Sequence, residues 1–145
     1  MEIDPREEVF YRLRLAEEHL ETAFKRFTIE DWAGVVEASQ LAAENAAKSI
    51  IAHFHIPSWT HDSSEELREV INQLPPNSRE PVLKLVKIVK ELAPEHGRTS
   101  HGLPTQRITP AQLYDKNSAE KVLQKAHEAV NISKKILKQL GYKLR

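Results

Sequence analysis

The chain has no cysteine, which excludes disulfides and thiolate metal sites and fits a reducing compartment. Glycine is scarce, with four among 145 residues, and none belongs to a phosphate-cradling loop of the P-loop type. No apolar run approaches the roughly 18 residues of a membrane span, and the acid-rich first 31 residues do not read as a secretory leader. A cytoplasmic protein without membrane association is expected. Period-two runs rich in Val, Ile or Thr are also missing, which argues against a sheet.

Net charge is absent too: 21 Lys and Arg balance 21 Asp and Glu. The balance hides an asymmetry. Residues 1–31 hold five basic and nine acidic side chains, whereas residues 116–145 hold eight and two. Two readings follow: a local basic face, or a solvated helix face complementing an acidic neighbour.

What is present is helical periodicity. The length fits one domain, which buries roughly 68–70 % of its unfolded surface. The first helix is expected over 5–27, with Asp4 as cap, Pro5 at the first helical position and Glu7 closing a capping box. Val9, Phe10, Leu13, Ala16, Leu20, Ala23, Phe24 and Phe27 form its apolar stripe. The second, over 31–55, has an Ala-rich middle, ASQLAAENAAKS, that lets neighbouring backbones approach and marks it as central. A short helix over 64–73 starts at Ser63 with Glu66 placed for a capping box; another, over 78–93, starts at Asn77 with Glu80. The last spans 117–140, opened by Asn117 with Glu120 and ended at Gly141. The pattern predicts an all-α fold, an antiparallel up-and-down four-helix bundle with a short accessory helix. Between the last two helices lies the outlier, a loop over 94–116 too long to be a mere connection.

The run Gln40-Leu41-Ala42-Ala43-Glu44-Asn45-Ala46-Ala47-Lys48, then Thr60-His61-Asp62, then Arg107-Ile108-Thr109-Pro110 with Tyr114 and Ala119-Glu120, resembles in order and spacing the HEPN family of helical domains (higher eukaryotes and prokaryotes nucleotide-binding). The resemblance covers residues 31 to about 140. It implies a helical bundle that commonly forms a homodimer, with the interruption before the last helix facing a cleft. It also implies one of two roles: a metal-independent ribonuclease, often a toxin, or a non-catalytic partner of a small nucleotidyltransferase that binds nucleotide or RNA. The ribonucleases share an Arg, four to six residues, then a His near the start of the final helix. Here only two residues separate Arg98 from His101, and no His follows Arg107 until His127. Arg14 and His19 have the family spacing in the wrong helix, where residues five apart point about 140° away from each other.

The candidate residues fall into sets. Metal-independent RNA cleavage needs a base, an acid and a cation for the phosphate in flight; His101 with Arg98 is the catalytic candidate, and His96 or Arg107 could serve the same chemistry. Arg98 and Arg107 could fork onto a phosphate, with Tyr114 stacking a base. Glu44 and Lys48, four apart on the central helix, form either a helix-surface pair or part of a cleft. His61 is an oriented imidazole or simply part of a turn. The ligand-binding set is therefore His96, Arg98, His101, Arg107, Tyr114, Glu44, Lys48 and His61. No metal and no cofactor is implied. The sequence reading is a homodimeric nucleotide- or single-stranded-RNA-binding protein, the partner of a nucleotidyltransferase in a toxin–antitoxin-like pair. Its alternatives are a metal-independent endoribonuclease and a non-catalytic assembly module.

Overall fold

The structure, a computed structural model, describes residues 4–144. Four long helices form the bundle: α1 (Arg6–Thr28), α2 (Trp32–Phe54), α4 (Pro76–Leu92) and α7 (Lys116–Gln139). Three short ones, α3 (Ser64–Val70), α5 (Glu95–His101) and α6 (Pro110–Leu113), lie in the connections. The described residues form no strand, only one isolated antiparallel bridge, Leu103 with Ile108. The all-α bundle expected from the periodicity is what folds.

α2 is the axis. From Val35 to Ala52 only Glu37 and Leu41 escape full burial. The reason is size: Ala42, Ala43, Ala46 and Ala47 lie on different sides of the helix and are all fully buried. A methyl side chain lets α1, α7, α4 and the short α3 and α5 close on it from several directions. The Ser49 and Ser133 hydroxyls, 2.6 Å apart, show how near α7 comes.

Cross-helix contacts give the directions. Arg26 donates to Glu37 (3.0 Å) and Arg12 to Asn45 (3.4 Å), so α1 and α2 run antiparallel. Lys84 meets Glu128 while Lys125 meets Glu91 (2.8 Å), so α4 and α7 are antiparallel as well. Of the expected α1 stripe, Val9, Leu13, Ala16, Leu20 and Ala23 are buried. Phe24 is 46 % exposed and lies edge-on to His127, whereas Phe27 packs on Trp32.

Several helix ends use other groups than the spacing predicts. α1 starts at Arg6 without a capping box; Asp4 accepts from the Arg6 backbone N–H (3.0 Å) and grips its guanidinium. At α3 the Ser63–Glu66 box is not made. Asp62 caps Ser64 N instead (3.0 Å), and Glu66 reaches back to Ser58 N (3.1 Å). α7 begins at Lys116, because Asp115 and Ser118 form the reciprocal box ahead of the position where Asn117 and Glu120 would.

The larger difference is the segment 94–116, expected as a loop. It is mostly short helix. Proline ends a helix interior because it lacks an N–H, but in a first turn no N–H is required. Pro94 therefore breaks α4 and starts α5 in one step. Gly102, at φ +63°, ends α5, and a Thr109–Gln112 capping box with Pro110 at the first position makes α6.

Two substitutions test this packing. Ala46→Leu forces a larger side chain into a filled position and is expected to cost about 1–3 kcal/mol, read as a lower urea midpoint; an unchanged midpoint would mean that α2 is not tightly enclosed. Gly102→Ala meets both a positive φ and a Cβ 2.0 Å from the Ile108 carbonyl. A loss of about 1–3 kcal/mol is expected, with Gly97→Ala, where a Cβ meets nothing within 4 Å, neutral or slightly stabilising by the same measurement.

Candidate functional site

Three polar side chains rise along one face of the buried axis at four-residue spacing: Gln40, Glu44 and Lys48. All three are nearly inaccessible, at 2, 5 and 4 % exposure. Burying a charged pair is costly unless each group is partnered, and here the partners are explicit. Glu44 Oε2 accepts from Lys48 Nζ (3.3 Å). Its other oxygen accepts from Gln40 Nε2 (3.2 Å) and from His61 Nδ1 (3.0 Å).

His61 comes from the α2–α3 connection and His96 from α5. Their rings stack at 3.6 Å between centroids and 18° between planes. His96 Nδ1 in turn donates to Gln40 Oε1 (3.3 Å). The His61 side chain is 54 % exposed, so the stack is the mouth through which the buried ladder reaches solvent. On the α1 side, His19 feels the Glu44 carboxylate, although burial is the larger influence and holds its imidazole below the ordinary value.

A second cluster adjoins the first through α5. Glu95 accepts from the Tyr114 hydroxyl on one oxygen and from Arg98 Nη1 (3.1 Å) on the other. Burial, then the Glu95 carboxylate, pushes the Tyr114 phenol well above its ordinary value, so it stays a proton donor at neutral pH. Tyr114 is only 9 % exposed and belongs to the core; stacking a base on it would require the cluster to open.

The remaining candidates stand apart. His101 sits at the exposed C-terminal end of α5, three residues from Arg98, and no hydrogen bond joins them among the described residues. Arg107 is exposed in the left-handed region (φ 56°, ψ 39°), presented by the turn that the Leu103–Ile108 bridge closes. Of the residues singled out from the sequence, Glu44, Lys48, His61 and His96 converge, Arg98 and Tyr114 share Glu95, and His101 and Arg107 are separate. Among the described residues, no group of three His, Asp or Glu is placed to hold a metal, and no helix is long and apolar enough to cross a membrane.

Gln40 and Glu95 are site residues that the sequence reading misses. The signal for Gln40 is the four-residue ladder itself, which that reading follows only over Glu44–Lys48; for Glu95 there is none, since the carboxylate lies in what reads as loop. Trp59, two residues before His61, is 97 % exposed. Its flanks are fixed, with Ser58 bonded to Glu66 and Thr60 to Asp62. A surface concavity of about 560 Å³ lies elsewhere, lined by Arg14, Glu17 and Lys134. The chemistry points to the polar mouth, because shape alone supplies no reason for the buried ladder.

The ladder makes a sharp stability prediction. Glu44→Gln leaves Lys48 buried without a counter-charge and is expected to cost about 3–5 kcal/mol in urea unfolding, while adding Lys48→Met to it recovers most of the loss. A loss below about 1 kcal/mol for the single variant would mean that the pair behaves as a solvated surface bridge.

Comparison with known proteins fits this geometry. No curated protein matches the chain. The crystal structure of TT1696 from Thermus thermophilus is similar, with a TM-score of 0.65 and 22 % identity over 88 % of this chain and 96 % of that one. At that identity the likeness speaks for the bundle. The model of the HEPN domain matches residues 9–137. The segment includes all four long helices nearly entire, the α2 ladder, both stacked histidines and α5, and so the chain belongs to the HEPN domain family.

Proposed function

We propose that this protein binds a nucleotide or single-stranded RNA at the mouth formed by His61 and His96 over the Gln40–Glu44–Lys48 ladder, and has no catalysis of its own. It works as a homodimer, in the cytoplasm, with a nucleotidyltransferase as partner in a toxin–antitoxin-like pair. One observation carries the reading: a charged pair held in the most buried helix of the bundle, wired to the exposed imidazole of His61 and the partly buried one of His96. Apolar residues of the same size would commonly serve stability as well or better. A ladder kept at that cost and opened to solvent on one side is suited to recognising something polar. Arg98, on the same short helix as His96, adds a guanidinium that fits phosphate.

The nuclease reading rests on different residues. His101 and Arg98 occupy neighbouring positions of α5, and the His101 ring is exposed. Against it, no hydrogen bond joins the His101 side chain to an acid or base among the described residues, so no second group is seen to share acid and base roles.

The experiment is incubation of purified protein with labelled single-stranded RNA, and separately with nucleotides, in EDTA. Wild type, His61→Ala, Arg98→Ala and His101→Ala are compared. Expected is salt-sensitive binding without cleavage, weakened about tenfold or more in His61→Ala, which corresponds to a lost charge-assisted contact. Cleavage by wild type that disappears in His101→Ala would establish the nuclease instead. Neither binding nor cleavage would remove both readings. Light scattering tests assembly: a mass twice the 16.6 kDa of one chain is expected, and a monomer at high concentration would sink the homodimer.

A further inference from the structure

The hydrogen bonds around Glu44 fix more than position. Because Glu44 carries the charge that balances Lys48, it is an acceptor on both oxygens. The Gln40 amide nitrogen must therefore face it, and the same nitrogen also donates to the His61 carbonyl (3.5 Å). That choice turns the Gln40 oxygen towards His96, so His96 Nδ1 has to be the protonated nitrogen. His61 Nδ1 faces the carboxylate directly and has to be protonated as well. Both stacked rings are thus held in the same tautomer, each with Nδ1–H spent on α2. Neither Nε2 has a partner among the described residues.

Two consequences follow. In the neutral state the mouth offers two lone pairs and repels an anion. A proton added to either ring goes to Nε2 and breaks no existing bond, because each Nδ1–H keeps its acceptor. Two imidazolium rings stacked 3.6 Å apart repel one another, so full charging needs a negative group to stand against them. Imidazole is the side chain that changes charge in this range of pH.

We infer that this mouth is a proton-coupled anion site: it takes a phosphate group of a nucleotide or RNA backbone only with uptake of at least one proton from solvent onto the Nε2 atoms of His61 and His96. The inference rests on the binding reading above and adds its regulation. No covalent bond changes in the ligand; free protein, one proton and one phosphodiester anion give the complex. The ionisable groups on the segments that form the stack are Glu44 and Lys48 from α2, Asp62 from the loop carrying His61, and Glu95 and Arg98 from α5, with His19 of α1 within electrostatic reach of Glu44. Of these only Glu44 bonds an imidazole.

The test uses the full chain and a short oligouridylate, whose phosphodiesters keep their charge over the range. Affinity is measured by calorimetry between about pH 8 and about pH 6. It is expected to tighten about tenfold or more on acidification, as uptake of one proton requires. Runs in two buffers of different protonation enthalpy count the protons directly. His61→Asn and His96→Asn keep an inward N–H donor but bring no second ring nitrogen; each is expected to flatten the slope and lower the proton count.

Acid also acts on the fold. His19 and His53 are held below the ordinary imidazole value by burial. The unfolded chain therefore binds more protons, and stability declines as pH falls below about 6.5. Circular dichroism at each pH keeps the measurement within the folded range. Binding with no pH dependence, or a slope that persists in both variants, overturns the coupling and leaves the binding reading standing. No binding at any pH overturns both.

Discussion

Everything distinctive in this molecule depends on one carboxylate in an unfavourable place. Glu44 is nearly inaccessible on the most enclosed helix, and its two oxygens gather Lys48 Nζ, Gln40 Nε2 and His61 Nδ1. The charge is tolerable because each of its oxygens finds a donor. In satisfying itself the carboxylate orients the Gln40 amide, and through that amide it orients His96 on another helix. A single buried charge thereby sets the geometry of groups contributed by three separate segments of chain.

The rest of the fold makes room for it. An axis helix crowded by neighbours would ordinarily be filled with Leu and Ile, leaving no space for a polar ladder. Here alanines let the neighbouring helices come close where contact is apolar, and Gln40, Glu44 and Lys48 occupy the one face that ends at a thin cover, the His61–His96 stack. The short α5 completes that cover. Thr99 is buried and bonds back to the Glu95 carbonyl (2.9 Å), while the Glu95 carboxylate ties α5 to Tyr114 in the core. α5 is a seven-residue helix, too short to be stable alone, and these tertiary contacts explain why it forms.

That dependence also decides what is legible in the sequence. The stripes of α1, α4 and α7 stand out because burial on one side writes a 3.6-residue period, and the Ala-rich middle of α2 marks its central place. The Glu44–Lys48 pair is local, four residues apart, and can be read as a pair. Its meeting with His61 and His96 cannot, since those lie 17 and 52 residues beyond Glu44 and only the tertiary fold brings them to it. α5 is hidden for the opposite reason: Pro94, Gly97 and Gly102 give strong local signals for a loop, and tertiary contacts override them. Capping boxes are misplaced wherever two acceptors compete within a few residues, as Asp115 and Asn117 do before α7.

The charge asymmetry between the two ends of the chain finds its explanation in the same packing. Lys134 of α7 reaches Glu17 of α1 (3.2 Å), and Lys125 reaches Glu91 of α4 (2.8 Å). At these two positions the basic last helix lies against carboxylates contributed by its neighbours. Pairs exposed to this degree add little stability, but they do draw down the free positive field that α7 would otherwise present. The proposed recognition of a phosphate relies on a few groups whose geometry is fixed in advance. The stacked imidazoles over the buried ladder are the part of the molecule where such fixing is most complete.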